Sequence, residues 1–161
     1  MRAPATCTYA DRARDMGQND PIIDVEGREI TAQSVNARLD DWLRRLHTLF
    51  RAIKDWAAST GWRAEDGATI SMHEEIMQMV GVADREQPTL HVRNSEGAEI
   101  WIKPKGLWVI GANGRVDMYS RKGAFILVDI ADAFQPPQWV LHRIGKGEGK
   151  SFDPGQLADM I

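Results

Sequence analysis

The sequence predicts an α+β fold: a long N-terminal amphipathic helix and a short one, packed on an antiparallel β-meander of five to six strands, with a short C-terminal helix. Three observations carry that expectation. Residues 32–60 place apolar side chains in columns seven residues apart. From Pro88 onward the apolar period falls to two. Turn signals divide that second half at spacings below the roughly dozen residues that a parallel crossover needs, so its strands pair antiparallel.

In chain order, residues 1–20 lack apolar periodicity and read as a flexible leader. A single domain is expected over 21–144. It begins with Ile22, Ile23 and Val25, which suit a short strand before a turn at Glu26-Gly27. The long helix follows over 32–60. Val35, Trp42, Leu49 and Trp56 form one column, Ala32, Leu39, Leu46 and Ile53 a second, and Leu43, Phe50 and Ala57 a third. Thr31 is placed as N-cap, with Ile30 and Val35 as a hydrophobic staple. Gly61 stands at the C′ position, with Trp62 placed to fold back on the last turn. At 1.5 Å per residue the rod is about 43 Å long. A compact body of this size is roughly 35 Å across. The stripe is therefore expected to outrun its own body and meet another chain.

A shorter helix is expected at 72–80, with Ser71 and Glu74 as a capping box, Met72, Ile76 and Val80 on one face, and Gly81 as stop. The meander occupies 88–143. Leu90 and Val92, then Ile100 and Ile102, alternate with polar neighbours; LWVI, VDMY, AFILVDI and WVLHR follow. Ser95-Glu96-Gly97, Pro104-Lys105-Gly106, Asn113-Gly114 and Lys122-Gly123 supply the turns. Asn-Gly between apolar runs predicts a type I′ hairpin at 113–114. LWVI and AFILV are apolar on both sides, so both sheet faces are expected to be covered. Residues 145–161 read as a Gly/Lys linker and one capped helix, with Asp153 at N-cap, Pro154 at N1, and Leu157, Met160 and Ile161 on one side.

Composition narrows the function classes. The 161 residues carry a formal net charge of −3, with 43% hydrophobic and 27% charged residues. That balance argues against a nucleic-acid binder working by bulk charge. The single cysteine, Cys7, permits no internal disulfide or Cys-rich zinc site. No apolar run approaches the ~18 residues of a membrane span, and the N-terminus has no signal-peptide apolar region. A cytoplasmic protein with no membrane partner is expected.

Catalytic spacings are absent. Gly111-Ala-Asn-Gly114 precedes a strand-like run rather than a helix, so it is no phosphate loop. His73-Glu74-Glu75 lacks the second histidine of HExxH, since residue 77 is Met. His47, His73, His91 and His142 show no metal-ligand spacing, although His91 and His142 stand at strand positions that could meet across the sheet. Cys7 has no resolving partner nearby. No G-x-S-x-G motif occurs. No metal and no cofactor are expected. One enzymatic alternative combines Glu75, Glu99, Lys103 and Asp129 into a metal-dependent hydrolase or nuclease cluster. A nucleic-acid alternative uses Arg44, Arg45 and Arg51 on the helix with Lys103, Lys105, Arg121 and Lys122, and stacking by Trp101 and Tyr119. Asp40, Asp41 and Asp55 offset those helix arginines.

The favoured expectation is a non-enzymatic protein–protein interaction subunit of accessory, adaptor or immunity type. It would self-associate or dock on a larger protein through the 32–60 helix. Its expected interface comprises Leu39, Trp42, Leu46, Leu49, Ile53 and Trp56, the anchors Trp101 and Trp139, and Leu157 and Met160 of the terminal helix.

Overall fold

The computed structural model describes residues 20–161. The leader, Asp20 excepted, and Cys7 lie outside the described residues. The chain divides into two units between Thr31 and Ala32.

In the first unit β1 (Ile22–Ile23) pairs antiparallel with β2 (Glu29–Ile30). Asp24 closes the turn. Its Oδ1 accepts from the amides of Glu26 and Arg28, both at 2.9 Å, and Gly27 takes φ +80. The Arg28 amide, above the Arg28 guanidinium and the Glu26 amide, draws the Asp24 carboxyl below its ordinary value.

The second unit opens with α1 (Ala32–Thr60), whose bounds are those its heptad columns predict. It ends by the expected mechanism. Gly61 takes φ +77, the Trp62 amide donates to the Ala57 carbonyl at 2.9 Å, and the Trp62 ring lies 4.9 Å from that of Trp56. A Cβ at Gly61 would meet nothing within 4 Å, so only backbone strain opposes a side chain there. Gly61→Ala is expected to cost about 1 kcal/mol, measured by urea denaturation.

The strands β3 (Arg63–Asp66), β4 (Ile70–Met72), β5 (Arg85–Gln87), β6 (Leu90–Arg93), β7 (Glu99–Val109), β8 (Ala112–Ser120), β9 (Gly123–Asp129), β10 (Trp139–Arg143) and β11 (Lys150–Ser151) follow. Seven of them form one sheet in the order β11-β10-β9-β8-β7-β6-β3, each neighbouring pair antiparallel. The meander is therefore present and wider than expected, because β3 joins one edge and β11 the other. β4 and β5 form a separate two-stranded sheet.

The helix expected at 72–80 is corrected. Ile70–Met72 pairs with β5, and the helix shrinks to the five residues of α2 (Glu75–Met79). No capping box forms, since Ser71 is in a strand and Glu74 makes no side-chain cap. The Glu74 carboxylate reaches instead to β7, accepting from the amides of Leu107 and Trp108 at 3.1 and 3.2 Å. Those amides lie just past Pro104-Lys105-Gly106, which is not the turn expected there but an irregularity inside β7 where the β7–β8 register shifts.

The predicted β7–β8 hairpin exists, but its turn is displaced. Val109 pairs with Ala112, so Ile110-Gly111 makes the turn and Asn113-Gly114 lies inside β8. Two contacts with α1 hold the pair there. Asn113 Oδ1 accepts from Arg38 Nη2 at 2.8 Å, and Gly114 lies directly under the Trp42 ring.

One face of the sheet packs on α1. Leu90, Val92, Ile100, Ile102, Val116, Met118 and Leu127 are fully buried there, opposite Leu39, Trp42, Leu46 and Ile53. The expectation that the helix outruns its body is thereby corrected: Val35 near one end and Ala57 near the other are both buried. Seven strands at about 4.8 Å spacing already span roughly 29 Å. The β7–β8 hairpin extends that surface past the N-terminal part of α1, and the C-terminal segment covers its far end. That segment is no detached ligand on a linker. β11 pairs with β10, Asp153 and Gln156 form a capping box, and Leu157 and Met160 of a 3₁₀ helix (Pro154–Met160) are buried beside α1.

Candidate functional site

The pleat sorts the sheet's chemistry onto two faces. Leu127 and Asp129 point toward α1, while Ile126 and Val128 point away. Through the β8–β9 and β7–β8 registers, Arg115, Asp117, Tyr119, Lys103 and Trp101 share that second, outer face. His91 and Glu99 join them through the β6–β7 register.

Trp101 and Tyr119 are cross-strand partners, 41% and 44% exposed. The His91 ring stacks on Trp101 with centroids 3.7 Å apart and planes 5° from parallel. Lys103 Nζ lies 5.8 Å from the Trp101 centroid, within cation–π range. His91 Nε2 lies 3.4 Å from Glu99 Oε1. The result is a flat aromatic platform with a cation above it and a carboxylate at its edge.

A polar chain runs along β8 from this platform. Arg115 Nε donates to Asp117 Oδ1 at 2.6 Å, and the Tyr119 hydroxyl donates to Asp117 Oδ2 at 3.2 Å. Although its ring is partly exposed, the Tyr119 hydroxyl is tucked against buried Asp117. Burial first, then the Asp117 charge and hydrogen bond, push the phenol above its ordinary value, with Arg115 opposing. The fold thus favours the neutral phenol. That contribution is complete below the ordinary tyrosine pKa and is lost as pH rises through the raised one. In a Tyr9→Phe background, Asp117→Asn is expected to lower the Tyr119 midpoint part of the way, read by phenolate absorbance. An unchanged midpoint would assign the shift to burial alone.

The hydrolase alternative finds no support in the placement of its residues. Asp129 is fully buried on the α1 face, whereas Glu99 and Lys103 flank Trp101 on the outer face. Glu75 is exposed on α2. Asp129 is structural: its Oδ1 accepts from the amides of Ala131 and Gln138, and its Oδ2 from Arg45 Nη1 at 2.6 Å. Arg45, a nucleic-acid candidate by sequence, is itself 3% exposed and also bonds Asp41 at 2.7 Å. Burial works against its charge; the hydrogen bonds and charges of Asp41 and Asp129 overcome that and hold its pKa above the ordinary value.

The interface expected on the helix stripe is corrected. Leu39, Trp42, Leu46, Leu49, Ile53, Leu157 and Met160 are at most 5% exposed, spent on the chain's own core. Trp56 is half-buried against Trp62, and Trp139 packs 6.1 Å from the Trp42 ring. Trp101 alone of that set stands more than one-third exposed. His91 and His142 do not meet, since three strands separate β6 from β10.

Sequence reading missed His91, Arg115 and Asp117 as neighbours of Trp101 and Tyr119. Their signal was strand parity, which the displaced turn and the register shift near residue 105 concealed. Among the described residues no group of three His, Cys, Asp or Glu side chains is arranged to hold a metal ion, and no helix is long and apolar enough to cross a membrane. In comparisons with known protein families, curated proteins and solved structures, nothing matches this chain.

Proposed function

We propose that the protein is a non-enzymatic interaction subunit that docks a protein partner through the outer face of its sheet. The observation that carries this reading is the Trp101–Tyr119 pair, exposed side by side on the face turned away from α1. Tryptophan and tyrosine supply large, rigid contact area and dominate interface hot spots. His91 stacked behind Trp101 holds the ring in place, which lowers the entropic cost of using it. Glu99 and Lys103 beside it supply a polar rim of mixed sign. This replaces the helix stripe as the docking element, because the stripe is consumed by the core.

A second reading has one observation in its favour. A lysine over a stacked Trp–His pair also suits the bases of single-stranded nucleic acid. Glu65, Glu99 and Asp117 share the strand positions of that face and oppose a phosphate backbone. We therefore rank it second.

The test begins with absolute molar mass by light scattering at two concentrations. A dimer that Trp101→Ala converts to monomer identifies the partner as a second copy. For a monomer, a photo-crosslinking residue at position 101 captures the partner in cells, and the purified pair is titrated directly. Trp101→Ala is expected to weaken that pair by at least tenfold, about the 1.4 kcal/mol of a modest hot spot. Unchanged affinity would sink the reading. Binding of oligonucleotides with an affinity that falls steeply with salt would replace it by the second.

A further inference from the structure

We propose that a cleft on the outer face, between the β7–β8 hairpin tip and the β10–β11 turn, binds an amphipathic anion: an apolar body carrying one carboxylate or phosphate. It lies beyond the Trp101–Tyr119 platform and shares no residue with it. The cleft measures about 800 Å³, a volume suited to a small organic ligand. Ile126 and Val128 of β9 form its floor, with Val109, Ile110 and Ala112 at one end and residues 144–147 at the other. Ile110 at one tip is fully exposed and Ile144 at the other is 59% exposed, so both edges of the mouth are apolar.

The turn that carries the wall at 144–147 is anchored to the sheet. Gly149 sits so close to β10 that a Cβ there would lie 2.4 Å from the His142 ring and 2.5 Å from Val140. β11 then pairs with β10 and secures the far side of that turn.

Charge selects the ligand. Arg115, His142, Arg143 and Lys146 line the cleft, and no carboxylate does. Arg143 is already engaged: its guanidinium lies 5.8 Å from the Phe125 ring centroid and donates to the Lys122 carbonyl at 3.4 Å. Arg115 is held by Asp117 through Nε, so its charge is already partly answered there. Lys146 stands exposed on the turn. Asp117, occupied by Arg115 and Tyr119, and Glu148, which belongs to the same turn as Lys146, do not line the cleft. An apolar floor bordered by Arg115, His142 and Lys146, with no carboxylate in its lining, fits an alkyl or aryl anion, and neither a sugar nor a cation.

The probe is dodecanoate below its micelle concentration, titrated calorimetrically into the full chain, with dodecyltrimethylammonium as the control of opposite charge. One dodecanoate per chain is expected to bind, and the cation far more weakly. Lys146→Glu is expected to weaken dodecanoate about twofold to fivefold, the range for an exposed charge. Val128→Glu, which puts a like charge in the floor, is expected to abolish binding. Should that variant fail to fold by circular dichroism, Ile110→Asp at the exposed tip supplies the second arm and should also weaken binding. Phosphatidylglycerol and phosphatidylcholine vesicles, sedimented with the protein, separate the two sources of such an anion. Uptake of free dodecanoate assigns a soluble ligand. Binding only to the anionic vesicles, lost in Lys146→Glu, assigns the same chemistry to a lipid surface. No binding in either arm, equal binding of the cation, or indifference to Lys146→Glu and Ile110→Asp overturns the proposal. Because none of these variants touches Trp101, Tyr119 or His91, protein docking and anion binding fail or stand separately.

Discussion

Arg45→Met is expected to cost about 3–5 kcal/mol of folding stability, the loss that follows when one member of a buried ionic network is removed. Arg45 bonds Asp41 of its own helix, Asp129 at the end of β9, and the carbonyls of Asp132 and Gln135 in the connection to β10. Methionine retains much of the volume and none of the five donors. Fully buried Asp129 then loses its cation, and nearly inaccessible Asp41 keeps only the exposed Arg44 guanidinium at 3.5 Å. Urea denaturation monitored by tryptophan fluorescence measures the loss. Asp129→Asn should recover part of it in the Arg45→Met background, because Asn retains an oxygen for the amides of Ala131 and Gln138 and removes one charge. A single-variant loss below about 1 kcal/mol would mean that water reaches the site and that the network is no more than a surface ion pair.

Gly114→Ala is expected to be comparably damaging, for a reason of volume and backbone rather than charge. Gly114 takes φ +106, and an added Cβ would sit 2.1 Å from Trp42 Cζ3 and 2.6 Å from Cη2. The Trp42 ring has no room to retreat. It is fully buried, its Nε1 donates to Gln87 Oε1 at 2.9 Å, and Trp139 packs against it. Overpacking of about 1–3 kcal/mol adds to left-handed strain of about 1–2 kcal/mol, for a total of about 2–5 kcal/mol. Gly111→Ala is the internal control. Gly111 has φ +79 but nothing within 4 Å of its Cβ, so only the strain should be seen. Equal losses in the two variants would show that Trp42 does not enforce the glycine.

What could be read from the sequence was local. The bounds of α1, its Gly61–Trp62 stop, the period-two strands after Pro88 and the Asp153 cap each depend on residues within about seven positions of one another. Backbone preference and nearest-neighbour packing act over that range, so those signals survive without a tertiary structure. The candidate site was only partly legible: Glu99, Trp101 and Lys103 were correctly grouped, because alternation alone puts them on one face.

The remainder was decided by contacts between distant residues. Arg45 and Asp129 are 84 positions apart, and their pairing turns an apparent catalytic carboxylate into a buried brace. Glu74 is 33 positions from Leu107, and bonding there takes it out of a capping box. Asn113-Gly114 carries the local signature of a turn, yet packing beneath Trp42 and bonding to Arg38 hold it inside a strand. The apolar stripe of α1 was plain from its spacing, but its occupant was not. Periodicity states that a face must be buried; only the width of the sheet, set by which strands pair at its edges, determined that the chain buries that face itself.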